Sequence, residues 1–346
     1  MNLSEAADYL KNYNGRELRL MEVCGTHTAG IVQNGIPSML SDRIHLITGP
    51  GCPVCVTVTD YIDRLIDLAT DPANIIVTFG DLMRVPGSAG SLTQAKASGA
   101  DIRYVYSPAE ILKLAKEDPG HTYIFAAVGF ETTAPVYAAL LSGALEEKID
   151  NIKLLTSLKT MPQAIRRVSD GIDGFLAPGH VAVITGTEEY RQLASELEVP
   201  FVVSGFKGEE LIASIYALTR LAEREGEAGF INLYPQAVKE KGNEAAKAAT
   251  ESFFEKGDAA WRGMGIIPDS GLYIRSEYKK YDAGSHDLAG DSEPEGCRCR
   301  EVITGKLPSC DCPLFGTVCT PEHPVGACMV SQEGACFNSA KTTKNY

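Results

Sequence analysis

Ten cysteines in a chain of 346 residues pose the chemical question. Cys24, Cys52 and Cys55 stand early; 241 residues then pass without a cysteine, and Cys297, Cys299, Cys310, Cys312, Cys319, Cys328 and Cys336 fall within 40 residues. Thiols used only as small buried hydrophobes scatter along a chain, so this clustering favours a ligand field over packing. In Cys24-Gly-Thr-His27 a thiolate and an imidazole can face one point, which suits a transition metal or an activated nucleophile. The same spacing also fits a partly buried thiol beside a capping histidine. Gly49-Pro-Gly-Cys52-Pro-Val-Cys55 is a C-x-x-C whose thiols open a helical turn, where the unsatisfied N–H groups make a thiol reactive. One C-x-x-C is half a zinc site, and no second pair with zinc-ribbon spacing follows. A redox dithiol is therefore the better reading.

The tail reads differently. Cys297-x14-Cys312-x6-Cys319-x16-Cys336 offers four thiolates, with Cys299, Cys310 and Cys328 interleaved. Zinc knuckles need short C-x2–4-C pairs, whereas irregular loops with four thiolates suit an iron–sulfur cluster at least as well. Spacing alone does not choose four ligands from seven. Glu131, His180 and Asp81 each stand just past a strand candidate, the edge where open parallel sheets bind ligands, although Glu131 could equally cap the following helix. His45 and His121 open strands on the opposite edge and read as structural.

These residues need elements to hold them. Short apolar runs at Leu18–Val23, Ile44–Thr48, Ile75–Phe79 and Ile102–Tyr106 predict strands, with a helix over Asp60–Ala69. The pattern then restarts, with strand candidates at Tyr123–Val128, Ile152–Leu155, Gly174–Leu176 and Pro200–Val203 and helices at Thr133–Leu145, Met161–Ser169, Glu188–Glu198 and Gly208–Arg224. Continuous apolar runs alternating with helices indicate parallel sheets covered on both faces. Val23-Cys-Gly-Thr-His-Thr28-Ala-Gly30 also overlies Val128-Gly-Phe-Glu-Thr-Thr133-Ala-Pro135 at an offset of 105 residues, which favours a duplicated α/β domain. Beyond a boundary expected at Glu225–Gly229, Asn243–Glu255 reads as an Ala-rich helix and Asp282–Gly296 as loop. The apolar content there is thin, so metal-clipped folding is expected to compensate.

Composition removes other classes. Forty-five acidic against 32 basic residues, a net charge of -13, argue against a duplex nucleic-acid binder. The longest apolar stretch, near Tyr123–Phe130, is far short of the ~20 residues of a membrane helix. The start, MNLSEAADYL, has neither a basic nor an apolar leader region, so the expectation is a soluble, cytoplasmic protein.

Five motifs in order, Cys24-Gly-Thr-His-Thr28, Gly49-Pro-Gly-Cys-Pro-Val-Cys55, Phe79-Gly-Asp-Leu-Met-Arg-Val-Pro-Gly87, Gly129-Phe-Glu-Thr-Thr-Ala-Pro135 and Cys312-Pro-Leu-Phe-Gly-Thr-Val-Cys-Thr-Pro321, resemble the HypD family of NiFe-hydrogenase maturation factors. The likeness runs from about residue 18 to 337. It implies two similar parallel-sheet α/β domains, 18–118 with Cys24 and Cys52/Cys55 and 119–228, and a C-terminal 4Fe-4S domain over 229–346 against which 1–17 packs. The resemblance further implies a scaffold on which an Fe(CN)2CO group is assembled with the chaperone HypC, cyanide coming from HypE, and the hydrogenase large-subunit precursor reached through HypC. On this resemblance Cys24 is an iron ligand with His27 its neighbour, and Cys52 and Cys55 are the redox dithiol. Cys297, Cys312, Cys319 and Cys336 hold the cluster, and Cys299 with Cys328 forms a second thiol pair. Cys310 falls outside the pattern; Cys312 is taken as the ligand because it precedes Pro-Leu-Phe. Two other readings of the residues remain: a cluster-dependent thiol–disulfide oxidoreductase acting on a protein partner, and a zinc-stabilised interaction module.

Overall fold

The computed structural model describes residues 2–224 and 228–343. Eleven strands are present among them: β1 (Leu18–Glu22), β2 (Ile44–Thr48), β3 (Asn74–Thr78), β4 (Ile102–Tyr104), β5 (Thr122–Gly129), β6 (Ile152–Lys159), β7 (Gly174–Ala177), β8 (Phe201–Val203), β9 (Phe230–Asn232), β10 (Phe254–Trp261) and β11 (Gly265–Ile274). They form two sheets, one ordered β2-β1-β7-β8-β9 and the other β10-β11-β6-β5-β3-β4. Every pairing is parallel except at β10 and β11, an antiparallel hairpin laid against β6. The fold is thus α/β with two parallel-dominated sheets. All eight apolar runs singled out in the sequence are strands, because buried parallel strands carry apolar side chains on both faces.

Sheet membership departs from the expected contiguous domains. The first half supplies β1 and β2 to one sheet but β3 and β4 to the other. The second half does the reverse, placing β5 and β6 beside β3 and β4, and β7 and β8 beside β1. The two four-strand cores, β2-β1-β7-β8 and β6-β5-β3-β4, have the same order once four is added to or taken from each strand number. The repeat is therefore present as a reciprocal exchange between halves, and the boundary at 118/119 falls inside one sheet. Pairing across more than 100 residues leaves no local mark, so alternation alone did not show this exchange.

The expected C-terminal unit also needs correction. β9 belongs to the first sheet and β10 and β11 to the second, so only the thiol-rich stretch after about Asp282 stands outside the sheets. The expected helix over Asn243–Glu255 is Glu244–Phe253; Asn243 caps it by accepting from the Ala246 N–H, and Phe254 begins β10. The hairpin escaped the reading because Glu255, Lys256, Gly257 and Asp258 interrupt its apolar pattern. The N-terminal helix Leu3–Lys11 packs on the helix Gly208–Ala222 through Tyr9, Tyr216 and Glu223, not on the tail. The expected boundary at Glu225–Gly229 includes residues 225–227, which lie outside the described residues.

One core joins the layers. Met21, Val23, Cys52, Val54 and Cys55 pack in the same cluster as Ile124, Leu155 and Trp261 of the second sheet and as Val302, Ile303, Met329 and Val330 of the tail. The thin tail core is thus completed by the sheets. No helix among the described residues is long and apolar enough to cross a membrane.

Candidate functional site: a thiol centre at the carboxyl ends of two strands

β1 ends at Glu22, and Cys24 becomes the N-cap of the helix Gly25–Gln33. In open parallel sheets this edge, where connections diverge to opposite sides, is the ligand site, and β1 lies at such a divergence between β2 and β7. The turn after β2 closes against it. Gly51 O accepts from Gly25 N–H at 3.0 Å, and a Cβ on Gly51 would stand 2.2 Å from Cys24 N, so only glycine fits. Cys24 is a free, buried thiol whose pKa burial pushes up to about 12, opposed by the backbone N–H of His27. Beneath it Glu22 is buried and accepts from Cys24 N–H at 2.9 Å and from the Thr28 hydroxyl at 2.5 Å. Burial raises its pKa to about 7 despite those bonds.

His27 is fully buried, and neither ring nitrogen has a hydrogen-bond partner among the described residues. Burial lowers its pKa to about 4, with the backbone of Ser204 and Gly205 opposing, so the ring is neutral near pH 7. It leans on Phe206, whose ring also stacks on His180 at 3.8 Å between centroids. His180 follows β7, and the structure brings it to the same sheet edge as Cys24 and His27.

Cys52 and Cys55 form a disulfide with a Cα–Cα separation of 5.2 Å. Both are buried, and Cys55 N–H points at Cys52 Sγ at 3.1 Å. Cys55 Sγ lies 4.0 Å from Ala327 O, the residue preceding Cys328. The C-x-x-C therefore faces Cys24 through Gly51 and the thiol-rich tail through Ala327.

Six of the seven tail cysteines, Cys297, Cys299, Cys312, Cys319, Cys328 and Cys336, line one small apolar cavity with Phe315 and Met329. The Cys299 side chain interacts with those of Cys297 and Cys328, and Cys328 with that of Cys336. Cys319 Sγ accepts from Val325 N–H at 3.3 Å. Among the described residues no three His, Cys, Asp or Glu side chains converge as ligands of a single ion. Six thiols around one cavity are a donor set of the chemistry that could hold a multi-atom metal–sulfur group. Cys310 is exposed beside Asp311 and lies outside the cavity.

Glu131 and Asp81 follow β5 and β3, neighbours in the second sheet, so they do not share an edge with Cys24. Glu131 Oε1 accepts from Met161 N–H at 2.8 Å, Oε2 is buried without a partner, and burial raises the pKa to about 8. Asp81 is at the surface, and desolvation by its surroundings raises its pKa. Glu333 links the edges. It senses Asp81, bonds Thr26 Oγ1 at 3.3 Å, and covers Gly25, where a Cβ would meet Glu333 Cβ at 2.3 Å. His45 is exposed on β2, and His121 bonds Asp118 at 2.8 Å, away from the thiols.

Four residues escaped the sequence reading: Glu22, Glu333, Lys159 and Arg262. Lys159 is buried at the end of β6, its ammonium bonded to Ser157 Oγ at 3.2 Å and lying 5.6 Å from the centre of the Trp261 ring. Burial alone lowers its pKa to about 7. Arg262, also buried, donates from Nε to Thr57 O at 3.0 Å and pairs with Asp291 at 3.2 Å. Glu22 and Lys159 had left one signal: each is the charged last residue of its strand, just before the loop that carries the site.

Fold and site together define a two-sheet α/β protein with a buried thiol centre at one sheet edge and a thiol-lined cavity behind it. A family model described as HypD, hydrogenase formation hypA family, matches residues 2–343. The hydrogenase maturation factor HypD of Escherichia coli (strain K12) is 41% identical over 343 residues, covering 97% of this chain and 92% of that protein. That of Rhodobacter capsulatus is 40% identical, covering 96% and 92%. A putative hydrogenase expression/formation protein of Methanocaldococcus jannaschii is 41% identical, covering 92% and 90%. The chain belongs to the HypD family of hydrogenase maturation factors, and its role lies in hydrogenase formation.

Proposed function

We propose that this protein is the scaffold and redox partner on which the Fe(CN)2CO group of NiFe-hydrogenases is assembled, with HypC as co-ligand, HypE as cyanide donor, and delivery to the large-subunit precursor through HypC. The observation that carries the reading is the contact order of its thiols: Cys24 abuts the C-x-x-C turn through Gly51, and that turn abuts the Cys328 segment through Ala327.

Each residue then has a task. Cys24 binds the substrate iron as a thiolate; its raised pKa means the proton leaves only when a cation arrives to offset burial. His27 stays neutral beside it, and Glu22 fixes the backbone that aims the thiol. Releasing cyanide from a sulfur-bound thiocyanate takes two electrons, and closing the Cys52/Cys55 dithiol to its disulfide supplies two. Cys297, Cys312, Cys319 and Cys336 would hold a 4Fe-4S cluster, which supplies single electrons when bound. Cys299 and Cys328 line the same cavity, Cys328 next to the Ala327 carbonyl that faces Cys55, and this second thiol pair would pass electrons toward the disulfide. Glu131 and Asp81 line the facing sheet edge, where they shape the approach of the partner proteins.

Infrared spectra of the anaerobic complex with HypC test the reading. Bands of iron-bound CN and CO are expected, and their absence in a complex that contains iron would leave a thiol–disulfide oxidoreductase instead. Iron and sulfide analysis of the chain alone should give four of each. Zinc in their place would sink the cluster assignment.

A further inference from the structure

We propose that Lys159 is the buried positive charge that stabilises the reduced, thiolate-bearing state of the Cys52/Cys55 pair. This rests on the redox reading of those two cysteines and adds a residue from the opposite sheet to it.

The argument begins with an unusual burial. Lys159 is 4% exposed, and its ammonium has three donors. One is used, on the neutral hydroxyl of Ser157, and no carboxylate acts on Lys159 among the described residues. Burying an ion without a counter-ion costs several kcal/mol, so an uncompensated lysine inside a core is retained for something other than stability. Arg262 is the instructive contrast. It is equally buried but has Asp291 as counter-ion, and Arg300 holds the second oxygen of the same carboxylate.

The direction in which Lys159 acts follows from its contacts. Ser157 Oγ lies 3.4 Å from Thr57 Oγ1, and Thr57 Oγ1 donates to Pro53 O at 2.9 Å. Pro53 lies between the two cysteines, and Thr57 stands two residues beyond Cys55. A chain of hydroxyls thus runs from the ammonium on β6 to the C-x-x-C turn that follows β2. Arg262 grips the same segment, its backbone N–H donating to Val56 O at 2.9 Å and its Nε to Thr57 O. Two buried cations from the second sheet converge on the stretch after Cys55, and one of them has no counter-charge.

The redox step gives that charge its use. When a dithiol reduces the Cys52–Cys55 disulfide, one S–S bond breaks and another forms in the reductant. Two electrons pass to Cys52 and Cys55, and the first sulfur released leaves as a thiolate. In this core the thiolate meets little water. The Lys159 ammonium across the interface lowers its energy, and the thiolate in turn keeps that amine protonated against the burial that lowers its pKa to about 7, whereas the neutral disulfide gains nothing from it. Lys159 is therefore a positioning charge: it acts on the sulfurs through the field, with no bond to them.

The test uses the full-length protein, purified anaerobically and equilibrated with mixtures of reduced and oxidised dithiothreitol. Differential alkylation and mass spectrometry of the peptide carrying both cysteines read the redox ratio. Lys159→Met should shift the equilibrium about tenfold toward the disulfide, about 30 mV for a two-electron couple. Lys159→Gln, which keeps a polar contact for Ser157, should shift it in the same direction. The thermal midpoint of Lys159→Met should equal or exceed that of the native protein, because an unpaired buried charge is gone. An equilibrium constant unchanged in both neutral variants overturns the proposal. Hydrogenase maturation that persists in Cys52→Ala would instead sink the redox reading itself.

Discussion

Gly51 and Cys24 touch through their backbones. A methyl group on Gly51 would stand 2.2 Å from Cys24 N and 2.4 Å from the carbonyl carbon of Val23. The turn after β2 is thereby seated on the end of β1, and the disulfide and the free thiol occupy one site by contact of main chains. Gly51→Ala should lower stability by roughly 1–3 kcal/mol, the usual range for overpacking, and should abolish maturation because the thiols part. Urea denaturation and in vivo maturation assays check the two halves separately.

Glu131 makes stability fall with rising pH. Its pKa is near 8 in the folded chain against 4.5 as the ordinary value, so the unfolded state loses its proton first. Between pH 4.5 and about 8 the folded state binds more protons, and stability declines across that window. Glu131→Gln keeps the bond to Met161 N–H and has nothing to ionise. It should match the native protein at pH 4.5 and exceed it by roughly 2–4 kcal/mol at pH 9. Parallel denaturation curves across the window would contradict this.

Glu22→Gln should be mild. One Glu22 oxygen accepts from Cys24 N–H and the other from Thr28. At pH 5 the native carboxyl is already protonated, its O–H meets the same neighbours that an amide nitrogen would, and the Thr28 hydroxyl can turn to accept, so a change within about 1 kcal/mol is expected. Thermal unfolding at that pH gives the answer.

Glu333 covers Gly25, the residue after the thiol. Glu333→Ala should speed alkylation of Cys24 by iodoacetamide at pH 8 several-fold, since it opens the site over Gly25 and removes a charge that raises the thiol pKa. Mass-spectrometric rates at Cys24 and at the exposed Cys310 provide the comparison, the latter staying constant.

Within the tail, Cys312→Ser should lose iron while Cys310→Ser retains it, because Cys312 lines the common cavity and Cys310 does not. Cys52→Ala should abolish maturation and leave the tail's visible spectrum intact.

The sequence carried the local facts and missed the distant ones. β1, β2 and β5 were legible as short runs rich in apolar residues, Tyr123–Ala127 of β5 being buried on both faces, and Cys24, Cys52 and Cys55 because a thiol after such a run sits where parallel sheets bind ligands. The hairpin β10–β11 was hidden by Glu255 and Lys256, polar residues that the edge strand β10 tolerates, and by Pro268, which falls where the β10–β11 register shifts. Glu333 and Arg262 carry no motif at all; they matter because folding places one over Gly25 and the other under Thr57. Cys310 and Cys312, indistinguishable by spacing, were separated in the sequence by the Pro-Leu-Phe that follows Cys312, and in the structure Cys312 lines the cavity while Cys310 is exposed.

The reciprocal exchange of strands also sets a schedule. On a ribosome β1 and β2 emerge first, yet their central neighbour β7 is still some 125 residues away, and the sheet is complete only after Asn232. Closing such long loops is slow, so the Cys24 loop is made early and finished late. During that interval Cys24, Cys52 and Cys55 lack the layer that shields them, and a nascent chain is open to oxidation or stray metal. A protein cut near residue 118 should accordingly yield two insoluble pieces, each holding half of two sheets, that recover only when mixed.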